Sequence, residues 1–315
     1  MQLFFSFLRL IRWPNLIFII LAQGIFYFFI EFPLYAPHSV FPILDLSYFI
    51  LLCLSSICIA AAGYIINDYF DVNIDMINKP HKLIIEKDIK RRWAIAWHLI
   101  LSIFGIVIGF YIDYKTPISF IGLTNIGCAV LLFLYSVSLK RKLISGNVVI
   151  SILTAWSICI VPFAEWNALS QSLSLQIVYK EINFNKLYLI TFLYSGFAFI
   201  ISIIREAVKD MEDVEGDMQY NCYTMPIVWG IRTAKVYAAV WMVVLISGLV
   251  IMQLYAWHLG WKWLIIYCLV TTILPLCFTF NKLIVAKKSS DFHSISTLIK
   301  LIMFTGILSM LLFKL

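Results

Sequence analysis

Nine stretches of this chain, near residues 13–30, 46–66, 93–112, 118–138, 147–163, 186–204, 236–256, 263–280 and 296–313, are apolar over about the length a helix needs to cross a hydrocarbon core. That length is roughly 20 residues for a core of about 30 Å. The run at 147–163 is the shortest. Hydrophobic residues make up 62% of the chain and charged residues 13%, against about 25% charged in a soluble domain. The expected architecture is therefore an all-α polytopic membrane protein, a nine-helix transmembrane bundle forming one integral-membrane domain over residues 1–315. The first run is expected to remain as a span. Arg9, Arg12 and Trp13-Pro14 precede it, and it ends in Glu31-Phe32-Pro33 without a small-residue cleavage site. The seven cysteines form no CxxC or metal-type spacing and read as small buried hydrophobes.

A net charge of +7 points to topology before it points to a polyanionic partner, and nucleic acid is not expected as a ligand. With the N-terminus inside, 19 of the 24 Lys and Arg residues fall on the inner side, leaving Lys115, Lys180, Lys186, Lys262 and Lys314 outside. The positive-inside rule then places the N-terminus and the loops 67–92 and 205–235 in the cytoplasm, with the C-terminus opposite. Those two loops carry 11 of the 17 carboxylates, which makes them the expected seat of chemistry. Lys87, Lys90, Arg91 and Arg92 need no ligand and read as topology anchors.

The acids are ordered. Asn67-Asp68-Tyr69-Phe70-Asp71-Val72-Asn73-Ile74-Asp75 and Lys209-Asp210-Met211-Glu212-Asp213-Val214-Glu215-Gly216-Asp217 both contain DxxDxxxD. At about 100° per residue, positions i, i+3 and i+7 of a helix share an arc of roughly 60°, so each motif would direct three carboxylates one way. Such like charges repel, and a cation relieves them. Mg2+ suits carboxylate oxygens and is usually held by one or two of them plus substrate phosphate oxygens. Asp68, Asp71, Asp75, Asp210, Asp213 and Asp217 are thus candidate metal ligands and catalytic residues, and a phosphate-bearing substrate is implied. Arg12, Lys140, Arg141, Arg205 and Lys209, at span ends beside these loops, are candidates to neutralise that phosphate. A solvated acidic helix end would explain one motif. Two copies with one spacing, after the second and sixth spans, suggest two related helical halves around a central cavity.

On these residues the chain resembles the UbiA superfamily of intramembrane prenyltransferases, which carries NDxxDxxxD after its second helix and DxxDxxxD after its sixth. Further similarity lies in Arg12-Trp13-Pro14-Asn15, in Tyr135 to Arg141, and in Thr224-Met225-Pro226 with Gly230. The resemblance implies Mg2+-dependent transfer of an isoprenoid from its diphosphate to an amphiphilic acceptor within the lipid, with two Mg2+ ions on the six aspartates. It also implies Asn67, Asn15 and Tyr135 as substrate-binding residues beside the five cations. The developing carbocation needs an electron-rich wall, for which Tyr64, Tyr69, Tyr135 and Tyr194 are candidates; an interfacial aromatic belt would place them equally well.

The second motif, from Arg205 to Asp217, looks more like the geranylgeranylglyceryl-phosphate geranylgeranyltransferase branch than the 4-hydroxybenzoate branch. Asn78-Lys79-Pro80 also resembles the homogentisate branch, so prenylation of a hydroxylated aromatic acid for quinone synthesis stays open as an alternative. A different class, a cation-coupled transporter, would require acids inside the spans. Asp113 and Glu165 are expected as solvated helix ends. Residues 164–186 are expected as an irregular or short-helical connection, and His81 as a residue near the acceptor. No protein partner can be inferred.

Overall fold

A computed structural model describes residues 2–80, 83–180 and 182–313. His81, Lys82 and Lys314 lie outside the described residues. The chain is helical almost throughout, with one isolated bridge, Ile85 to Ile89, among the described residues. Among them, too, eight helical segments are long and apolar enough to cross a membrane: Trp13–His38, Leu46–Asn78, Arg91–Lys115, Ser145–Gln171, Phe184–Glu212, Gly230–His258, Lys262–Val285 and Ser289–Leu312. Ile121–Val137 is a ninth, shorter apolar helix of 17 residues.

The helices outrun the apolar stretches that announce them. The second continues from its apolar run through the whole first acidic motif to Asn78, so those acids stand on a helix, not in a loop. The run at 147–163 belongs to a 27-residue helix, and most of 164–178 is helical. Hydropathy reports where lipid lies, whereas the backbone ladder continues into water wherever no residue breaks it. Ahead of the first span stands a separate helix, Gln2–Leu10.

The chain forms two compact units, Met1–Leu139 with Trp156–Phe192, and Lys140–Ala155 with Leu193–Leu315. In the first unit, helices Leu46–Asn78, Arg91–Lys115 and Ile121–Val137 pack on small residues. A side chain at Gly109 would meet the Gly122 backbone at 3.0 Å. Between them Ser55 Oγ donates to the Gly105 carbonyl at 2.7 Å, and Asn125 Nδ2 donates to Ser55 Oγ at 2.7 Å. Polar bonds and close backbone approach are how helices adhere in lipid, where apolar burial gives no preference between neighbours.

Asp113 and Glu165 are structural acceptors rather than solvated ends. Asp113 accepts from the Ile121 and Gly122 amides, capping the Ile121–Val137 helix. Glu165 is fully buried and accepts from Tyr35 Oη and from the amides of Ile43 and Leu44 at 2.7–3.0 Å.

The second unit is built on a buried cluster that includes Ile204, Val208, Met211, Met225, Ala234, Ala238, Leu283 and Phe292. This core fixes the C-terminal end of helix Phe184–Glu212 against the helices that come after it in the chain.

Candidate active site

In the first unit the acidic motif is held from the N-terminal side. Arg12 occupies the left-handed region (φ 51°, ψ 52°) between Gln2–Leu10 and the span that begins at Trp13-Pro14. Such a conformation costs a non-glycine residue of order 1 kcal/mol and persists where surrounding contacts fix it. Here the guanidinium pairs with Asp68 Oδ1 and lies over the Tyr64 ring, 5.3 Å from its centroid. The Asp68 carboxylate raises the Arg12 pKa above its already high ordinary value, outweighing burial. Pro14, in the first turn, removes a donor that the helix would leave unpaired anyway.

The N-terminal helix is latched to the segment after the motif. Ser6 Oγ donates to Asp88 Oδ2 at 2.7 Å, and Leu10 packs with Ile65, Val72, Ile85 and Ile89. Arg91 pairs with Glu86 at 2.8 Å and lies over the Tyr69 ring. Asn67, Asp68, Asp71 and Asp75 are all half-buried on one continuous helix, so the expected shared face is present. Tyr135 and Asn15 are half-buried within the same unit.

In the second unit the motif is not one helix. Phe184–Glu212 ends before Asp213, which has φ −98° and ψ 8°, and Val214–Gln219 begins a new short helix. The 60° arc expected for Asp210, Asp213 and Asp217 therefore does not apply. Their placement follows from a bend, with Asp217 one element further on. Asp210 Oδ2 accepts from Asn147 Nδ2 at 2.9 Å. Glu206, a buried carboxylate, takes Arg205 Nη1 at 3.0 Å and Lys209 Nζ at 3.1 Å. Glu212 holds His293 Nδ1 at 2.8 Å, and its carbonyl accepts from Ser289 Oγ.

Lys140 and Arg141 form the short 3-10 turn Leu139–Arg141, and the Arg141 carbonyl accepts from the Tyr223 amide at 2.7 Å. That bond places Arg141 beside Thr224. Arg141 Nε, Arg205 Nε and the Thr224 hydroxyl are buried with no hydrogen-bond partner. Buried donors left unpaired cost about 1–3 kcal/mol each, a cost that an anionic ligand would remove.

Asn147 and Glu206 join the site without having been named among its expected residues, and Thr224, noted only as part of the Thr224-Met225-Pro226 similarity, joins it too. Glu206 has a legible signal, since it stands i+1 from Arg205 and i−3 from Lys209; nothing local marks Asn147. Tyr194 departs from expectation: it lies 16 residues before Asp210 in one helix, about 24 Å at 1.5 Å per residue. Its hydroxyl bonds Ser309 Oγ at 2.8 Å, at the other end of the unit.

Among the described residues no three His, Cys, Asp or Glu side chains form a closed metal cage. An ion held by one or two carboxylates, completed by water and substrate oxygens, needs no such cage. Half-buried aspartates at helix ends fit that open mode of binding.

Comparison with known proteins gives this geometry its setting. The profile of the UbiA prenyltransferase family matches residues 17–304. Digeranylgeranylglyceryl phosphate synthase of Methanosphaera stadtmanae is 28% identical, over 81% of this chain and 85% of that protein. A solved structure concerned with digeranylgeranylglyceryl phosphate synthase superposes with a TM-score of 0.61 at 23% identity, covering 99% of both chains. A UbiA homologue from Archaeoglobus fulgidus, solved with DMAPP and Mg2+, superposes at 0.57 with 16% identity, over 97% of this chain and 99% of that one. A family match across nearly the whole length, on a chain of membrane-length helices, means that this integral membrane protein belongs to the UbiA prenyltransferase family and is a prenyltransferase.

Proposed function

We propose that this enzyme transfers a geranylgeranyl group from its diphosphate to the free hydroxyl of geranylgeranylglyceryl phosphate, acting as one prenyltransferase domain with both acidic motifs on the cytoplasmic side. The observation that carries the reading is the duplicated DxxDxxxD motif, joined in the second unit by buried, partnerless donors on Arg141, Arg205 and Thr224. Relatives named for digeranylgeranylglyceryl phosphate, matched over most of their length, support the acceptor.

Asp68, Asp71 and Asp75 would hold one Mg2+, and Asp210, Asp213 and Asp217 a second. The ions supply Lewis-acid neutralisation of the departing diphosphate. The chain's own groups do the rest. Arg12, Lys140, Arg141, Arg205 and Lys209 bind phosphate oxygens, and Asn15 and Asn67 orient the substrate with amide hydrogen bonds. Glu206 keeps Arg205 and Lys209 together and half-neutralised until a phosphate arrives. The allylic carbon–oxygen bond breaks, the electron pair leaves with the diphosphate, and Tyr135 offers its ring to the carbon that becomes cationic. The acceptor oxygen then bonds to that carbon and gives its proton to the released diphosphate, leaving an ether.

The test is prenyl transfer by purified protein in detergent, with labelled geranylgeranyl diphosphate, with and without Mg2+. Acceptors would be geranylgeranylglyceryl phosphate, 4-hydroxybenzoate, dihydroxynaphthoate and homogentisate. A lipid-soluble diether formed only with Mg2+ is expected. Transfer to an aromatic acid alone would move the enzyme to quinone synthesis, the alternative that Asn78-Lys79-Pro80 keeps in play.

A further inference from the structure

Apart from the residues of the acidic motif, the second unit carries a surface groove of about 450 Å³ between the start of helix Gly230–His258 and the end of helix Lys262–Val285. Its polarity is graded. Arg232, Lys235 and Lys287 line the end nearest the helix termini, while Val236, Ala239 and Leu283 line the part set further into the helices. Leu283 and Ala286, which also line it, are buried in the core. Lys235 is folded across the groove, its Nζ donating to the Ile284 carbonyl at 2.9 Å. Val236 and Ile284, on either wall, are more than half exposed, as lipid-facing residues are.

Lys282 and Lys288 flank the groove in sequence, and Asp291 is the one acid of this segment. Both amides that Asp291 accepts, from Lys287 and Lys288, are backbone groups, so the side-chain charge here stays strongly positive. Cations at a helix end beside an apolar stretch of the groove match an amphiphile with an anionic head. A free phosphate would use only the rim, and a neutral lipid only the apolar stretch.

We infer that this groove is a binding site for an anionic phospholipid, whose phosphate is held by Arg232, Lys235 and Lys287 and whose chain lies along Val236, Ala239 and Leu283. Positive charge spread over a membrane face attracts anionic lipid diffusely; a groove with cations beside an apolar lining holds a single molecule in place.

The experiment is native mass spectrometry of the full-length protein released from micelles holding equal amounts of phosphatidylglycerol and phosphatidylcholine. Wild type is expected to retain one phosphatidylglycerol in preference. Lys235→Gln with Lys287→Gln should lower that retention about tenfold. Ala239→Leu, which fills the apolar stretch without changing charge, should lower it as well. A control that removes Lys87, Lys90 and Arg92 should retain the lipid. Equal retention of the two lipids by wild type, loss in the control, or undiminished retention by Ala239→Leu would each overturn the site. Displacement by millimolar inorganic phosphate would too. Each variant's elution volume and melting temperature verify that it is folded before it is scored.

Discussion

Arg12 illustrates how much one side chain owes to backbone placement. Left-handed geometry at this residue turns the chain between two helices and delivers the guanidinium to Asp68 across 56 residues of sequence. A planar fork suits both the carboxylate and the Tyr64 face below it, which the compact ammonium of lysine does not. Arg12→Lys is therefore expected to raise the KM for prenyl diphosphate about tenfold, equivalent to one lost charge-assisted bond, with a smaller effect on kcat. Steady-state kinetics on the purified variant measure the split, and an unchanged KM would remove Arg12 from the binding set. The aspartates belong to the same scale. Asp71→Ala and Asp213→Ala, one in each motif, should each cut turnover about a hundredfold or more, as loss of a preorganised electrostatic contact does. Both are half-buried, Asp71 on its helix and Asp213 at the bend between two helices, so elution and melting should stay near wild type. Near-normal activity in either variant would end its assignment as a metal ligand.

Elements carry information that residues alone do not. Two membrane segments contain a π-helical turn, Tyr27–Glu31 and Leu269–Ile273, and each is followed within two residues by a proline, Pro33 and Pro275. A proline ring crowds the carbonyl four residues earlier, here Phe29 and Thr271, and widening the ladder by one residue relieves it. The Thr271 carbonyl so released accepts from Thr305 Oγ1 at 2.9 Å. Glu165 shows the same dependence on neighbours, since its three donors come from a helix and a loop more than 120 residues away. Glu165→Ala strands all three and should cost about 3 kcal/mol or more, whereas Glu165→Gln, which keeps an acceptor oxygen, should cost less. Thermal melts in detergent would order wild type above Gln above Ala, and equal melting of Gln and Ala would show that the acceptor is not what matters. Both variants should keep transfer activity per folded molecule.

The apolar runs and the acidic spacing are legible in the sequence because lipid and metal each impose a one-dimensional pattern. Helix ends, the bend at Asp213 and the pairing of Asn147 with Asp210 are not, because they depend on contacts between segments distant in sequence. Tyr194 lies far from the acids for a related reason: an apolar run ending at 204 hides the two further turns that carry the helix to Glu212.

At the scale of the whole molecule, each compact unit contains one acidic motif, the first within the end of a long helix and the second across the end of one. If both motifs serve one substrate, both must open to the same compartment, which the positive-inside rule predicts to be the cytoplasm. A shared side is then a physical requirement of the proposed mechanism and can be measured apart from activity. Lys87 follows the first motif and Lys288 immediately precedes Ser289, which bonds to Glu212, and both lysines are exposed. Tyr114, 81% exposed, stands at the other end of helix Arg91–Lys115 from Lys87. The seven native cysteines are buried or half-buried, so a wild-type control leaves a small background. In sealed right-side-out vesicles, a membrane-impermeant maleimide should label Tyr114→Cys and spare Lys87→Cys and Lys288→Cys; inverted vesicles should reverse the pattern. Labelling of Lys87→Cys and Lys288→Cys from opposite sides would place the motifs in different compartments, and no single diphosphate could then engage both.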